Sequence, residues 1–277
     1  MSTTPPRLDA RASIRRLREC KREGRRIVAM TAYDVAFARI LEAAGVDLIL
    51  VGDSVGPAAL GYDSTNPVTM DEMIHHARAV KRGAPETLVV LDMPFMSYQV
   101  SVEDALINAG RALKEAGVEA VKVEGGNERA CAAIRAMVAS GIPVMGHVGL
   151  VPQSAHGRDD LVPPPGGEGG ADRVRAEGHA LEDAGVFSLV LDRVPAGLAA
   201  EISAALTVPT IGIGSGRGCD GQVLVAYHAL GLDPGAGAKS PARFAALHEA
   251  ALEGVRRFAR EVREGAFPGP EASSGGH

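Results

Sequence analysis

The chain contains no tryptophan, and aromatic residues make up 4% of it. Its interior cannot be organised around large rings. It has to be assembled from Val, Leu, Ile and Ala, the residues of buried parallel strands. Cysteine is scarce as well: Cys20, Cys131 and Cys219 are odd in number and widely spaced. That excludes a disulfide framework and a cysteine-rich zinc cluster, and a reducing cytoplasm is the expected setting. A strong charge of either sign is lacking. A net charge of −5 offers no basic field to nucleic acid or an anionic membrane, so neither is an expected partner. The longest apolar runs are strand-sized, so no membrane-spanning helix is expected. Met1 to Arg16 lacks the apolar core of a secretory signal, so no signal peptide is expected either.

What is present is a repeated alternation over 277 residues, of which 46% are hydrophobic. That length is normal for a single α/β barrel, and the apolar content suffices for a large core. Helical stretches end in Ala-Gly or Ser-Gly, an apolar run follows, then a polar or Gly-rich turn. The runs are Ile27–Ala32, Leu48–Gly52, Leu88–Leu91, Ala120–Val123, Ile142–Gly146, Ser188–Leu191, Val208–Ile213 and, more weakly, Gln222–Ala226. They are short and apolar on both faces, as strands covered on both sides are. Thr69-Met70-Asp71-Glu72 is a capping-box pattern opening a helix to about Arg82. Ser101 opens another that ends near Ala116 with Gly117 behind it, and a third runs from Arg173 to Ala184. Eight such units predict an α/β fold, a closed (β/α)8 TIM-type barrel, with an open doubly wound sheet as the alternative. Three stretches are expected: an N-terminal helical extension over 1–25, one barrel domain with C-terminal helices over 26–265, and a disordered tail over 266–277. The Pro/Gly-rich stretch 157–170 reads as either a lid or a flexible insertion.

Catalysis in such barrels sits at the carboxyl ends of the strands. Those ends carry Asp53-Ser54, Asp92, Lys122 with Glu124, His147, Asp192-Arg193 and Gly212-Ile213-Gly214-Ser215-Gly216. One acid after a strand is commonplace, because Asp caps helices. Four acids from four strands, joined by a lysine and a histidine, form a charge cluster that needs a cation or protons. A hard divalent cation with oxygen ligands satisfies it, and Mg²⁺ is the default. Lys122 and Glu124 are two residues apart and face the same side of a strand. The ammonium has either Glu124 or a substrate anion for a partner, and the substrate reading is taken. His147 is read as contacting substrate rather than as a satisfied core residue. His75 and His76 are read as structural or exposed, away from the strand ends. The glycines at 212–216 suggest a phosphate cradle or room for a bulky ligand.

In order along the chain stand Thr31-Ala32-Tyr33-Asp34, Val51-Gly52-Asp53-Ser54, Gly61-Tyr62-Asp63-Ser64-Thr65, Asp92-Met93-Pro94-Phe95-Met96 and Val121-Lys122-Val123-Glu124-Gly125-Gly126. Gly146-His147-Val148-Gly149-Leu150, Pro152-Gln153-Ser154 and Ile211-Gly212-Ile213-Gly214 follow. From about residue 26 to 269 this resembles the ketopantoate (3-methyl-2-oxobutanoate) hydroxymethyltransferase family. The resemblance implies a barrel of the phosphoenolpyruvate mutase/isocitrate lyase kind that uses Mg²⁺. It implies transfer of a one-carbon unit from 5,10-methylenetetrahydrofolate to 3-methyl-2-oxobutanoate, on the way to pantothenate, in a cytoplasmic homo-oligomer, a decamer in the family. It assigns Asp53, Asp92 and Glu124 to the metal, and Asp53, Ser54, Asp92 and Lys122 to the 2-oxo acid. It makes Asp192 the general base and places His147 in the pocket. Gly212 and Gly214 of the glycine-rich strand end are read as cofactor-binding.

Three departures from the family pattern stand out. Its base is normally Glu, and Asp192 is one methylene shorter. That withdraws the carboxylate by roughly 1–1.5 Å, a misplacement of the order that lowers a rate about 10²-fold. The 157–170 stretch lacks the family's usual loop sequence. His228 stands where the family usually has an acid. Two other functions are therefore weighed: a paralogue performing metal-enolate chemistry on another 2-oxo acid, and a silent barrel that binds a small molecule. Lys122 with three metal-type carboxylates argues against the silent barrel, since buried charge is expensive to keep without a use.

Overall fold

The computed structural model describes residues 10–154, 169–233 and 242–269. It divides into two compact units, Met1–Val225 and Ala226–His277. Eight parallel strands of the first unit close on themselves in sequence order: β1 (Ile27–Thr31), β2 (Leu48–Val51), β3 (Leu88–Asp92), β4 (Ala120–Glu124), β5 (Val144–Gly149), β6 (Ser188–Asp192), β7 (Thr210–Ile213) and β8 (Gly221–Leu224). The weak eighth run supplies the closure, with Ile27 opposite Gly221 and Met30 opposite Leu224. An open sheet is thereby ruled out. Among the described residues, six helices cover the strands: α2 (Val35–Ala43), α3 (Met70–Gly83), α4 (Val102–Arg111), α5 (Glu128–Ala139), α6 (Gly170–Asp183) and α7 (Ala196–Ala205).

Local chemistry explains the boundaries. Thr69 and Glu72 form the reciprocal capping box at the start of α3. A further turn, Ala112–Ala116, extends α4, and Gly117 closes it at φ 75°, where a side chain would be strained. Two strands begin later than the apolar pattern suggests, each just after a proline. Pro143 and Pro209 have no N–H to donate, yet their carbonyls accept from Val121 and Leu189, so β5 starts at Val144 and β7 at Thr210. β5 also runs on to Gly149, which puts His147 inside the strand instead of beyond its end.

Alternation along the strands sorts the interior. Ile27, Ala29, Leu48, Leu50, Leu88, Val90, Ala120, Met145, Val190, Ile211 and Val223 join one buried cluster. Leu17 and Cys20 of an N-terminal helix, α1 (Ala10–Glu23), join it too. In the same alternating series Asp92 follows Leu88 and Val90, and Lys122 and Glu124 follow Ala120. The barrel is thus apolar at the amino ends of its strands, where α1 packs, and charged at the carboxyl ends. Lys21 fastens α1 by donating to the Ser203 carbonyl at 2.7 Å and pairing with Asp220 at 2.8 Å.

The second unit holds α8 (Ala226–Ala229) and α9 (Leu247–Arg263). Leu252, Val255, Phe258 and Val262 recur every three or four residues along one side of α9. The stretch expected to be a lid or insertion falls mostly within 155–168, outside the described residues, as does most of the tail expected to be disordered.

Candidate metal centre and active site

Strand register assembles the site. Asp92 on β3 lies opposite Lys122 on β4, Glu124 opposite His147 on β5, and Gly149 opposite Asp192 on β6. Asp53 follows β2, its backbone N–H donating to Asp92 Oδ2 at 3.2 Å. All of these side chains except Asp192 are buried outright. One oxygen each from Asp53, Asp92 and Glu124 lies within 4.8 Å of the others, close enough to share one ion.

Lys122 reaches Asp92 Oδ1 at 2.9 Å and Glu124 Oε1 at 3.6 Å. The first contact is an ion pair without directed hydrogen-bond geometry, so Asp92 Oδ1 is a buried oxygen that accepts no hydrogen bond. Among the described residues, three carboxylates face one ammonium in this buried pocket, so that when fully ionised they carry an excess of two negative charges. The ionisation of the group reflects that excess. Burial pushes Asp53 above the ordinary carboxylate range, and the Glu124 charge adds to the effect. Burial also lifts Asp92 well above that range despite the pull of Lys122. For Glu124 burial again opposes ionisation, but the His147 and Lys122 charges outweigh it and hold the carboxyl low. For Lys122 burial favours the neutral amine, and the Asp92, Glu124 and Asp53 carboxylates overcome it, so the ammonium persists. A divalent cation matches this donor set in charge, in its all-oxygen character and in the spacing of the oxygens.

His147 links the metal face to Asp192. Its Nε2 lies 2.8 Å from the Leu150 carbonyl, which can only accept, so Nε2 carries a hydrogen. The same nitrogen is 3.8 Å from Asp192 Oδ2. Nδ1 faces Lys122 Nζ at 3.1 Å and Glu124 Oε1 at 3.3 Å. A neutral ring accepts there from Lys122; a protonated ring donates to Glu124. Asp192 is raised by burial, with His147, Arg193 and Lys122 pulling against it. Arg193 stands at 4.0 Å with its side chain in solvent, so the neighbouring arginine is a weak partner. The Asp192 backbone is pinned: its carbonyl accepts from Leu150 N, and a Cβ on Gly149 (φ 103°) would collide with it.

Ser54 shares a hydrogen bond of 2.8 Å with the Tyr33 hydroxyl, which Thr31 also contacts at 3.1 Å. Burial pushes Tyr33 up to about 12, so the phenol stays protonated. His76, read from sequence as distant from the strand ends, reaches the one after β1: its Nδ1 is 2.7 Å from the Tyr33 carbonyl. Gly212 packs against Cys219 and Gln222 with no space for a side chain, and Gly214 (φ 63°) lies against the Arg193 stem. His228 lies in the second unit, 3.7 Å from Asp233.

Strand-end reasoning passed over three side chains that the site uses. Tyr33 stands in a loop motif and shows no sign in the sequence that it supports Ser54. Tyr98 and Gln153 come from loops after β3 and β5, and both are buried against Glu124. The motif Pro152-Gln153-Ser154 was the one available signal for Gln153.

The model of the family described as ketopantoate hydroxymethyltransferase matches residues 11–270. A 3-methyl-2-oxobutanoate hydroxymethyltransferase of Heliobacterium modesticaldum is 52% identical over 258 residues, 93% of this chain and 93% of that protein. One from Moorella thermoacetica is 50% identical over 264 residues, 95% and 98% of the two chains. Among solved structures, phosphonopyruvate hydrolase in complex with oxalate and Mg²⁺ superposes with a TM-score of 0.62 at 15% identity, covering 95% of this chain and 92% of that one. A 2,3-dimethylmalate lyase, a member of the PEP mutase/isocitrate lyase superfamily, gives 0.59 at 18%, with coverages of 95% and 92%. These two likenesses establish a shared barrel fold. Identity across nearly the whole of both chains establishes more: the chain belongs to the ketopantoate hydroxymethyltransferase family and is an enzyme of the hydroxymethyltransferase class.

Proposed function

We propose that the enzyme transfers a hydroxymethyl group from 5,10-methylenetetrahydrofolate to 3-methyl-2-oxobutanoate, giving 2-dehydropantoate for pantothenate synthesis. The observation that carries this reading is the oxygen triad of Asp53, Asp92 and Glu124, with its two-charge excess, set beside Lys122 and within reach of Asp192 through His147. Asp53, Asp92 and Glu124 would hold Mg²⁺. Bound there, the ion supplies Lewis acidity toward the carboxylate and keto oxygens of a 2-oxo acid. The solved hydrolase with oxalate and Mg²⁺ on the same fold is in keeping with that chemistry.

The protein's own groups do the rest. Asp53, Ser54 and Asp92 line the place for the 2-oxo acid, and Tyr33 orients the Ser54 hydroxyl. Lys122 holds positive charge next to the oxygen that becomes anionic when C3 loses its proton. Asp192 is the group that takes the proton, and its burial brings its basicity nearer to that task. His147 gives its Nε2 hydrogen to the Leu150 carbonyl, which fixes the ring with Nε2 3.8 Å from the Asp192 carboxylate. Water hydrolyses 5,10-methylenetetrahydrofolate at its methylene carbon, both C–N bonds breaking to release tetrahydrofolate and one carbon at the formaldehyde level. The carbanion adds to that carbon, and its oxygen takes up a proton to become the new hydroxyl. Gly212 and Gly214 are the proposed approach for that co-substrate, Gly214 lying beside the Arg193 stem and Gly212 against Cys219 and Gln222.

The setting proposed is cytoplasmic, with no helix long and apolar enough to cross a membrane among the described residues. A homo-oligomer is proposed on the amphipathic side of α9, which needs a cover. The proposed arrangement of the chain remains the helical extension 1–25, the barrel domain 26–265 and the tail 266–277.

A second reading is favoured by one observation: Asp192 stands where the resemblance expects the longer Glu. A paralogue acting on another 2-oxo acid fits that difference. Assaying product formation from methylenetetrahydrofolate with a panel of 2-oxo acids separates the two. Mg²⁺-dependent formation of 2-dehydropantoate, lost in chelator, is the expected result. Turnover confined to a different 2-oxo acid establishes the paralogue, and no turnover with any of them removes both readings.

A further inference from the structure

Gln153 sits in a short turn after β5, Pro152–Ser154, and is 1% exposed. Its amide touches both sides of the carboxylate cluster. Nε2 donates to Asp53 Oδ2 at 3.0 Å and to the Met93 carbonyl at 3.0 Å. Oε1 accepts from the Tyr98 hydroxyl at 2.9 Å and from Gln99 Nε2 at 3.2 Å. The backbone N–H of the same residue donates to Glu124 Oε2 at 3.3 Å. Both amide hydrogens and both carbonyl lone pairs are therefore used, and the amide cannot be turned round, since Asp53 and Met93 offer only acceptors. Tyr98, 4% exposed, accepts in turn from the Glu124 backbone N–H at 3.2 Å.

We propose that Gln153, locked by Tyr98, is a positioning residue for the divalent cation. It holds Asp53 and Glu124 in the orientation in which their other oxygens meet the ion. The inference rests on the metal reading above and adds to it a residue that touches neither substrate nor metal. The choice of an amide has a physical reason. A lysine or arginine at this place would hold Asp53 equally well but would cancel part of the negative charge that attracts the ion. A neutral donor orients the carboxylate and leaves the two-charge excess intact. Because Gln153 belongs to the turn after β5, it also ties the base of that connection to the ends of β2, β3 and β4.

The test is titration of the full-length protein with Mn²⁺, followed by electron paramagnetic resonance, for wild type, Asp53→Asn, Gln153→Met and Tyr98→Phe. Unfolding midpoints in chelator are recorded alongside. Methionine keeps the volume of glutamine and loses the amide. The expected result is a loss of Mn²⁺ affinity of about 10–100-fold in Gln153→Met, with a change in the same direction in Tyr98→Phe. Wild-type affinity in a folded Gln153→Met protein, while Asp53→Asn loses binding, overturns the positioning role alone. Should Gln153→Met fail to fold, Tyr98→Phe decides, and unchanged affinity there overturns the role. Absence of Mn²⁺ binding by the wild type, or unaltered binding by Asp53→Asn, overturns the metal reading itself and the inference with it.

Discussion

Lys122 is the residue on which the charge balance turns. It is buried, it faces Asp92 and Glu124, and among the described residues it is the one ammonium set against the three carboxylates. Replacing it with Met removes the compensation and leaves buried charge unpaired, a change that typically lowers stability by about 3–5 kcal/mol. Denaturant unfolding in chelator measures it, and added Mg²⁺ is expected to restore part of the loss by taking over the compensation. A variant as stable as wild type in chelator would show that the carboxylates are protonated and need no cation. The same excess has a pH signature. Asp53 and Asp92 are raised in the folded state, so each contributes stability that is fully present below the unfolded carboxylate pKa, near 3.9, and is lost as pH rises through the folded value. Without metal, stability should therefore decline as pH climbs from about 4 toward neutrality, and Mg²⁺ should flatten the decline. Melting curves across that range, with and without Mg²⁺, check it. For Asp192 the consequence is kinetic. A base must be ionised, and burial raises this one, so the acid limb of the exchange rate should lie above the ordinary carboxylate range.

At the scale of the elements, much of the molecule was legible because two periodicities carry it. Apolar runs bounded by Gly located all eight strands, and the caps at Thr69, Ser101 and Gly117 located helix ends. Where the pattern failed, backbone hydrogen bonding decided. Pro143 and Pro209 read as apolar strand residues yet cannot donate, so β5 and β7 begin after them. The site was legible to the same extent. Alternation put Asp92, Lys122 and Glu124 on the inner face, and strand register then paired them with one another and with His147 and Asp192. Tyr33, Tyr98 and Gln153 were not legible, because loops deliver them and no period marks a loop residue. The sequence marks α1 only as an N-terminal helical extension, and the structure shows it burying Leu17 and Cys20 at the apolar end of the barrel. Truncating Leu17 to Ala should lower stability by about 2–5 kcal/mol, as for other buried leucines, with metal affinity unchanged. An unaltered denaturation midpoint would show that α1 does not contribute to the core.

For the whole molecule, the two ends of the barrel divide the work. The amino ends of the strands and α1 form an apolar plug, and the carboxyl ends hold charge that a purely structural core would not retain. Because the proposed ion binds the folded chain and not the unfolded one, saturation with Mg²⁺ at a hundred times its dissociation constant should add about 2.7 kcal/mol. The apolar side of α9 predicts a species larger than one chain in sedimentation velocity, and Val255→Glu with Phe258→Glu should shift the distribution toward the single chain.

The central claim is that a divalent cation held by Asp53, Asp92 and Glu124 acts with Asp192 to remove the C3 proton of a 2-oxo acid. Deuterium loss from C3 of 3-methyl-2-oxobutanoate, followed by nuclear magnetic resonance for wild type and Asp192→Asn with Mg²⁺ or chelator, tests it most directly. The account predicts rapid loss in the wild type with Mg²⁺, none in chelator, and a fall of about 10²–10⁴-fold in Asp192→Asn with metal binding retained. Exchange that persists in chelator, or that is unchanged in Asp192→Asn, would contradict it.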